Sequence, residues 1–120
     1  MIGKVSTFGT NCQIKCHGTK IQIGDDNMFA ENIKVVAGDG HNYYDITTGN
    51  ILTHTDPVIT KEHVWVGIGA TLLSGADIGE GSIVGDVILI NKVVPNNVVV
   101  VGNPMRVVRE NVEWQRKDDV

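Results

Sequence analysis

From Val66 to Pro95 an apolar position recurs every six residues, in the blocks VGIGAT, LLSGAD, IGEGSI, VGDVIL and INKVVP. A helix repeats at about 3.6 residues and a strand at 2, and neither gives six. Six residues suit one short flat strand followed by a tight corner. Three such sides close a triangular coil of about 18 residues, whose opening residues stack in columns inside a prism.

The same register runs through the rest of the chain with two interruptions. Blocks open at Ile2, Phe8 and Ile14, shift by three residues at Lys20 to Gln22, and open again at Ile23, Phe29 and Val35. The phase breaks at His41 and resumes at Thr60, Val66, Leu72, Ile78, Val84 and Ile90, where only Thr60 is not apolar. The pattern predicts an all-β, parallel β-helix of about four coils, roughly 19 Å tall at about 4.8 Å per coil. Ser6, Cys12, Gly18, Ala70, Ala76 and Ser82 are small enough to sit near corners. Gly3, Gly9, Gly24, Gly67, Gly79 and Gly85 are expected to relax the backbone where it turns.

The break has its own content. Its would-be column positions are His41, Thr47 and Thr53, a polar run that an apolar core disfavours. Residues 41–59 therefore read as an extruded loop, with turn chemistry at Thr48-Gly49-Asn50 and Asp56-Pro57. Long loops in compact repeats are usually functional. The expected organisation is one domain over 1–120, with this loop and a C-terminal tail over 96–120.

Composition narrows the classes. A chain of 120 residues holds one core. A net charge of −4 argues against nucleic acid as a partner. No apolar run approaches the roughly 20 residues of a membrane span, so no membrane insertion is expected. The start lacks a basic-then-apolar leader, which predicts a cytoplasmic chain beginning near Met1. Cys12 falls on an inward slot and Cys16 on the surface, and the pair lacks the partners of a zinc or disulfide pattern. Aromatics are 5% of the chain, so the core is thin. Outward Ile68, Val87 and Leu89 imply that another subunit covers at least one side.

Glu62-His63-Val64-Trp65-Val66-Gly67, Val93-Val94-Pro95 and Gly102-Asn103-Pro104-Met105-Arg106-Val107-Val108-Arg109 resemble the hexapeptide-repeat acyltransferases. Gly24 to Phe29, Asp39 to Asp45 with Thr48-Gly49, and Arg109 to Arg116 are most similar to the branch that O-acetylates capsular, O-antigen or sialic-acid sugars. The resemblance implies a left-handed β-helix, acetyl-CoA as donor, no metal, a homotrimer, and sites in clefts between subunits. The acceptor is then a hydroxyl of a sugar or small molecule.

Sugar hydroxyls are poor nucleophiles, and a neutral imidazole can take the proton during attack on a thioester. His41 matches the family's general base. Trp65 stands where the family has Trp, to donate to the tetrahedral oxyanion or pack the acetyl end. Asp39 is the candidate to orient His41, with Asp26 and Asp45 as alternatives. His63 is expected to be structural, and His54 and His17 solvated.

For the donor, the resemblance points to Gly67, Ile68, Gly85, Asn91, Lys92, Arg106 and Arg109, with the three cations on phosphates. Two departures stand out: Gly85-Asp86-Val87-Ile88 replaces Gly-Ala-Gly-Ser, and Gly67-Ile68 replaces Gly-Ala. Three alternatives remain: an antibiotic acetyltransferase, a non-catalytic assembly module, and a zinc carbonic anhydrase. The last needs a close histidine pair that the chain lacks.

Overall fold

A computed structural model describes residues 1–117 as strands and corners only. The strands are β1 (Thr7–Phe8), β2 (Gln13–Cys16), β3 (Ile21–Ile23), β4 (Met28–Phe29), β5 (Lys34–Ala37), β6 (Val58–Thr60) and β7 (Trp65–Val66). They continue as β8 (Thr71–Leu73), β9 (Asp77–Ile78), β10 (Ile83–Val84), β11 (Leu89–Ile90), β12 (Val93–Val94), β13 (Val98–Val101) and β14 (Arg106–Glu110). Three parallel sheets form three faces of a prism. The first face is β3-β6-β9-β12, the second β1-β4-β7-β10-β13 and the third β2-β5-β8-β11.

The register confirms the columns. Ile23, Thr60, Ile78 and Val94 stack inside the first face, with half-exposed Ile2 in register at the open end. Phe8, Phe29, Val66, Val84 and Val100 stack inside the second. Ile14, Val35, Leu72 and Ile90 align in the third, with Ile14 exposed at the open end. A second inward residue lies two positions earlier in most blocks. Ile33, Val58, Val64, Ala70, Ala76, Ile88 and Val98 are all buried there. Thr60 is tolerated in its column because its hydroxyl donates to buried Asn27, whose amide donates to Asp25 O at 3.0 Å and Lys61 O at 2.9 Å.

The boundaries need two corrections. The prism does not end at Pro95: β12 and β13 add two sides of a fifth coil, and β14 folds back antiparallel on β13. The expected tail over 96–120 thus carries two strands, and its last three residues lie outside the described ones. Val94 escaped the count because it follows Ile90 by fewer than six residues. At the other boundary, Val58 and Ile59 belong to β6 rather than to the loop. Every irregularity of the repeat falls on one edge, between the third and first faces: Ile14 to Ile23, Val35 to Thr60 and Ile90 to Val94.

Corner chemistry also differs from expectation. The left-handed corner residues are Val5, Asp26, His63, Gly81 and Asn97 on one edge and Asn11, Asn32, Gly69 and Val87 on another. Each stands three positions before a column residue. The glycines that follow column residues do something else. A Cβ on Gly67 would collide with the Asp86 carboxylate, and one on Gly79 would lie 2.6 Å from Asn96 N. Asp86 Oδ1 accepts from Ile68 N at 3.0 Å, and Asn96 Oδ1 accepts from Glu80 N at 2.9 Å. Glycine therefore makes room for the carboxylate or amide that ties the next coil to it. Asp86 is one of these corner ties, and Ile88 is core.

Candidate active site

Two regions carry the expected chemistry. The first is the loop leaving β5. Gly38, at φ +84°, donates its N–H to Ser74 Oγ at 2.6 Å and turns the chain outward. Asp39 then clasps the loop root: its Oδ2 accepts from His54 N at 2.6 Å and faces His54 Nδ1 at 2.8 Å. Beyond the clasp a small hairpin forms, with an antiparallel Tyr44–Ile51 bridge. Asp45 Oδ1 accepts from Thr47 N and Thr48 N, both at 2.8 Å.

The carboxylates follow these contacts. The backbone N–H of His54, and then its ring, hold the Asp39 carboxyl below the usual range. The N–H groups of Thr48 and Thr47 do the same for Asp45. Neither group is bound to His41. His41 is exposed beside the clasp, and no described residue hydrogen-bonds its ring. Asp39 is thus engaged by His54, the histidine expected to be solvated. The Tyr43 hydroxyl also approaches His54 Nδ1, at 3.4 Å. Asp39, His54, Ser74 and Asn91 share a hollow of about 200 Å³ at this edge.

The second region is the outer surface of the second face. Its outward row runs Met28, Trp65, Ile83, Val99 and Arg109 across β4, β7, β10, β13 and β14. Trp65 is 37% exposed. Arg109 lies three strands away in the same row, or roughly 14 Å at the spacing of a sheet. Arg106 is paired with outward Val101 on the same surface. Gly67, Ile68 and Gly85 follow the strands of this face. Lys92, by contrast, lies with Asn91 at the edge between the third and first faces. The three cations expected to act together are therefore divided between two sides of the prism.

That division extends to the whole site. In a triangular cross-section the edge carrying His41, Asn91 and Lys92 lies opposite the face carrying Trp65, Arg106 and Arg109. His41, two residues past the Asp39 clasp, stays near its own edge.

Sequence reasoning missed what lies behind Trp65. After β14 the chain descends the edge between the first and second faces. Val112 N donates to Asn97 O at 3.0 Å in the fifth coil. Trp114 stacks on His63 in the third coil. Arg116 reaches Asp26 Oδ1 at 3.3 Å, Asn27 O at 3.1 Å and Thr7 Oγ1 at 3.0 Å in the lower coils. This strap ties corner residues far apart in sequence, and no local pattern announces it.

No family model matches the chain. The polysialic acid O-acetyltransferase of Escherichia coli O1:K1 / APEC is 30% identical over 118 residues, covering 98% of this chain and 38% of that protein. In structure, the polySia specific acetyltransferase NeuO superposes with a TM-score of 0.92 at 29% identity, over 99% of this chain and 51% of that one. The chain belongs to the hexapeptide-repeat, left-handed β-helix acyltransferase family. A galactoside acetyltransferase solved in complex with coenzyme A shares the fold, with a TM-score of 0.65 at 20% identity over 91% of this chain and 64% of that one. The chain spans about half or less of the first two relatives' lengths.

Proposed function

We propose that this chain is an acetyl-CoA-dependent O-acetyltransferase domain that modifies a hydroxyl of a sugar or polysaccharide in a cleft between two copies. One observation carries the reading. The base candidate and the Trp65 surface occupy opposite sides of one prism, so a neighbouring copy must supply the missing half. His41, Asn91 and Lys92 come from the edge of one copy. Trp65, Arg106 and Arg109 come from the second face of the next. Three copies arranged in a closed ring supply three such clefts. The names of the relatives and the acetyl-CoA chemistry of the family support the donor and the acceptor class, and a cytoplasmic setting supplies the donor.

The chemistry needs little else. The His41 imidazole takes the acceptor hydroxyl proton as the oxygen attacks the thioester carbonyl. The Trp65 N–H, or the ring packed on the acetyl end, meets the developing oxyanion. Collapse expels the thiolate, which recovers the proton from His41. The donor would extend from Trp65 over Ile83 and Val99 to Arg109, with its phosphates at Arg106, Arg109 and the neighbour's Lys92 edge. Asp86, tied into its corner, leaves this row clear.

A different base is favoured by one observation, the Asp39–His54 pair. A neutral His54 that donates Nδ1–H to Asp39 presents Nε2 as the acceptor of a proton.

Mixing subunits tests the reading. His41→Ala and Trp65→Ala should each lower kcat by about 10²–10⁴ while leaving acetyl-CoA affinity nearly unchanged. Unfolding and reassembling the two variants together should restore activity toward about a quarter of the parent, because some clefts then hold both native residues. Light scattering should report about three times 13.0 kDa. A fully active His41→Ala with an inactive His54→Ala would transfer the base role to His54. A monomer with parental turnover would reject the shared cleft.

A further inference from the structure

We infer that Trp114 is a positioning residue for Trp65, held in place by the corner residue His63. The inference rests on the reading of Trp65 as a group facing the acetyl donor. Trp65 projects from a two-residue strand. Among the described residues its indole has no hydrogen bond, and its aromatic neighbour is Trp114, with ring centroids 6.0 Å apart and planes at 53°. A half-exposed side chain on so short a strand samples several rotamers unless something blocks them. Trp114 stands beside the ring and is placed to block its motion toward the His63 corner.

Trp114 is suited to that role because it is itself fixed on three sides. Its ring lies flat on His63, with centroids 3.8 Å apart. Its Nε1–H donates to His63 O at 2.8 Å, and its own carbonyl accepts from His63 Nε2 at 2.7 Å. The guanidinium of Arg116 sits 5.8 Å from the ring centroid and anchors the strap to Asp26. Trp114 is 4% exposed, yet it stands outside the cluster that fills the prism. Its burial is spent on the outer surface, between His63 and Trp65. A residue needed only to fill the core would point inward.

The role is tested with Trp114→Leu, Trp114→Phe and Arg116→Ala in the full chain and its native assembly. Acetyl transfer and fluorine NMR of 5-fluorotryptophan are the two readouts. Trp114→Leu should lower kcat about tenfold or more while KM for acetyl-CoA changes less than about threefold. Trp114→Phe, which keeps a flat ring, should recover most of the loss. In a Trp65→Ala background Trp114→Leu should cost less than about twofold further, since its effect passes through Trp65. The Trp65 resonance should shift and narrow in Trp114→Leu and in Arg116→Ala. Equal losses from Trp114→Leu in both backgrounds would overturn the inference. So would a Trp65 resonance unmoved in the strap variants that fold, Arg116→Ala serving if Trp114→Leu does not. An inactive parent would reject the acetyltransferase reading, and the fluorine spectra would still decide the positioning.

Discussion

Both ring nitrogens of His63 face acceptor oxygens: Nδ1 lies 2.6 Å from Asp26 Oδ2 and Nε2 2.7 Å from the carbonyl of Trp114. A neutral imidazole has one N–H and satisfies one of them. The imidazolium satisfies both.

This arrangement makes docking of the strap depend on pH. Burial works against the charged ring, but the Trp114 carbonyl and the Asp26 carboxylate outweigh it, with Arg116 opposing, and the His63 pKa is raised. The hydrogen bond from His63 depresses Asp26; burial opposes the shift and Arg116 adds to it. Stability from His63 is complete below its unfolded pKa of about 6.5 and is lost as pH rises through the raised folded value. Stability from Asp26 is present above 3.8 and is lost as pH falls through its depressed value. The strap should therefore be held most firmly between about pH 4 and about pH 6.5. His63→Asn keeps a residue suited to the left-handed corner and removes the titration. The midpoint difference between parent and His63→Asn should shrink from about pH 6 to about pH 9. Parallel curves would show that His63 contributes no proton linkage.

The period of six made most of the columns legible, because an aliphatic residue at each opening position has no other simple explanation. It failed where the edge between the third and first faces changes length, which hid Val94 and the four-valine strand Val98–Val101. The left-handed corners were illegible for another reason. Asp26, His63 and Val87 do not advertise positive φ as glycine does. In the candidate site, Trp65 and His41 were pointed to by resemblance alone. The Asp39–His54 clasp was not, since it joins the two roots of a loop. Trp114 and Arg116 act on residues 51 and 90 positions away, beyond any periodicity.

The row from Trp65 to Arg109 predicts where donor affinity resides. Arg109→Ala and Arg106→Ala should each weaken acetyl-CoA binding about tenfold, near 1.4 kcal/mol. Dephospho-CoA should bind the parent less well, and the deficit should shrink in whichever variant has lost the 3′-phosphate contact. Calorimetric titration reads both. Parental affinity in both arginine variants and in Lys92→Ala would remove the donor from this surface.

The polar plug in the core predicts a large local cost. Asn27 is fully buried, donates to two carbonyls of adjacent coils and accepts from Thr60. Asn27→Ala removes the amide from the Lys61 carbonyl and the Thr60 hydroxyl and leaves a void in the core, while Asp25 O keeps the His63 N–H at 2.9 Å. It should destabilise the fold by about 2–4 kcal/mol. Urea denaturation measures this, and a loss below about 1 kcal/mol would mean that water or a backbone shift replaces the amide.

Val87 predicts a gain. Its φ of +55° places a β-branched residue in the left-handed region, with 80% of its surface exposed. The side chain there gains little burial to offset the strain, and the equivalent corners carry Asn11, Asn32 and Gly69. Asn adopts this conformation at lower cost than Val. Val87→Asn should therefore stabilise the chain by about 1 kcal/mol and raise the thermal midpoint by a few degrees. Val87 also borders the second face at the end nearest Ile68. If the exposed valine packs against a neighbouring copy or the donor, the substitution should instead lower assembly strength or acetyl-CoA affinity. A midpoint that rises with both of those unchanged assigns Val87 to the corner alone.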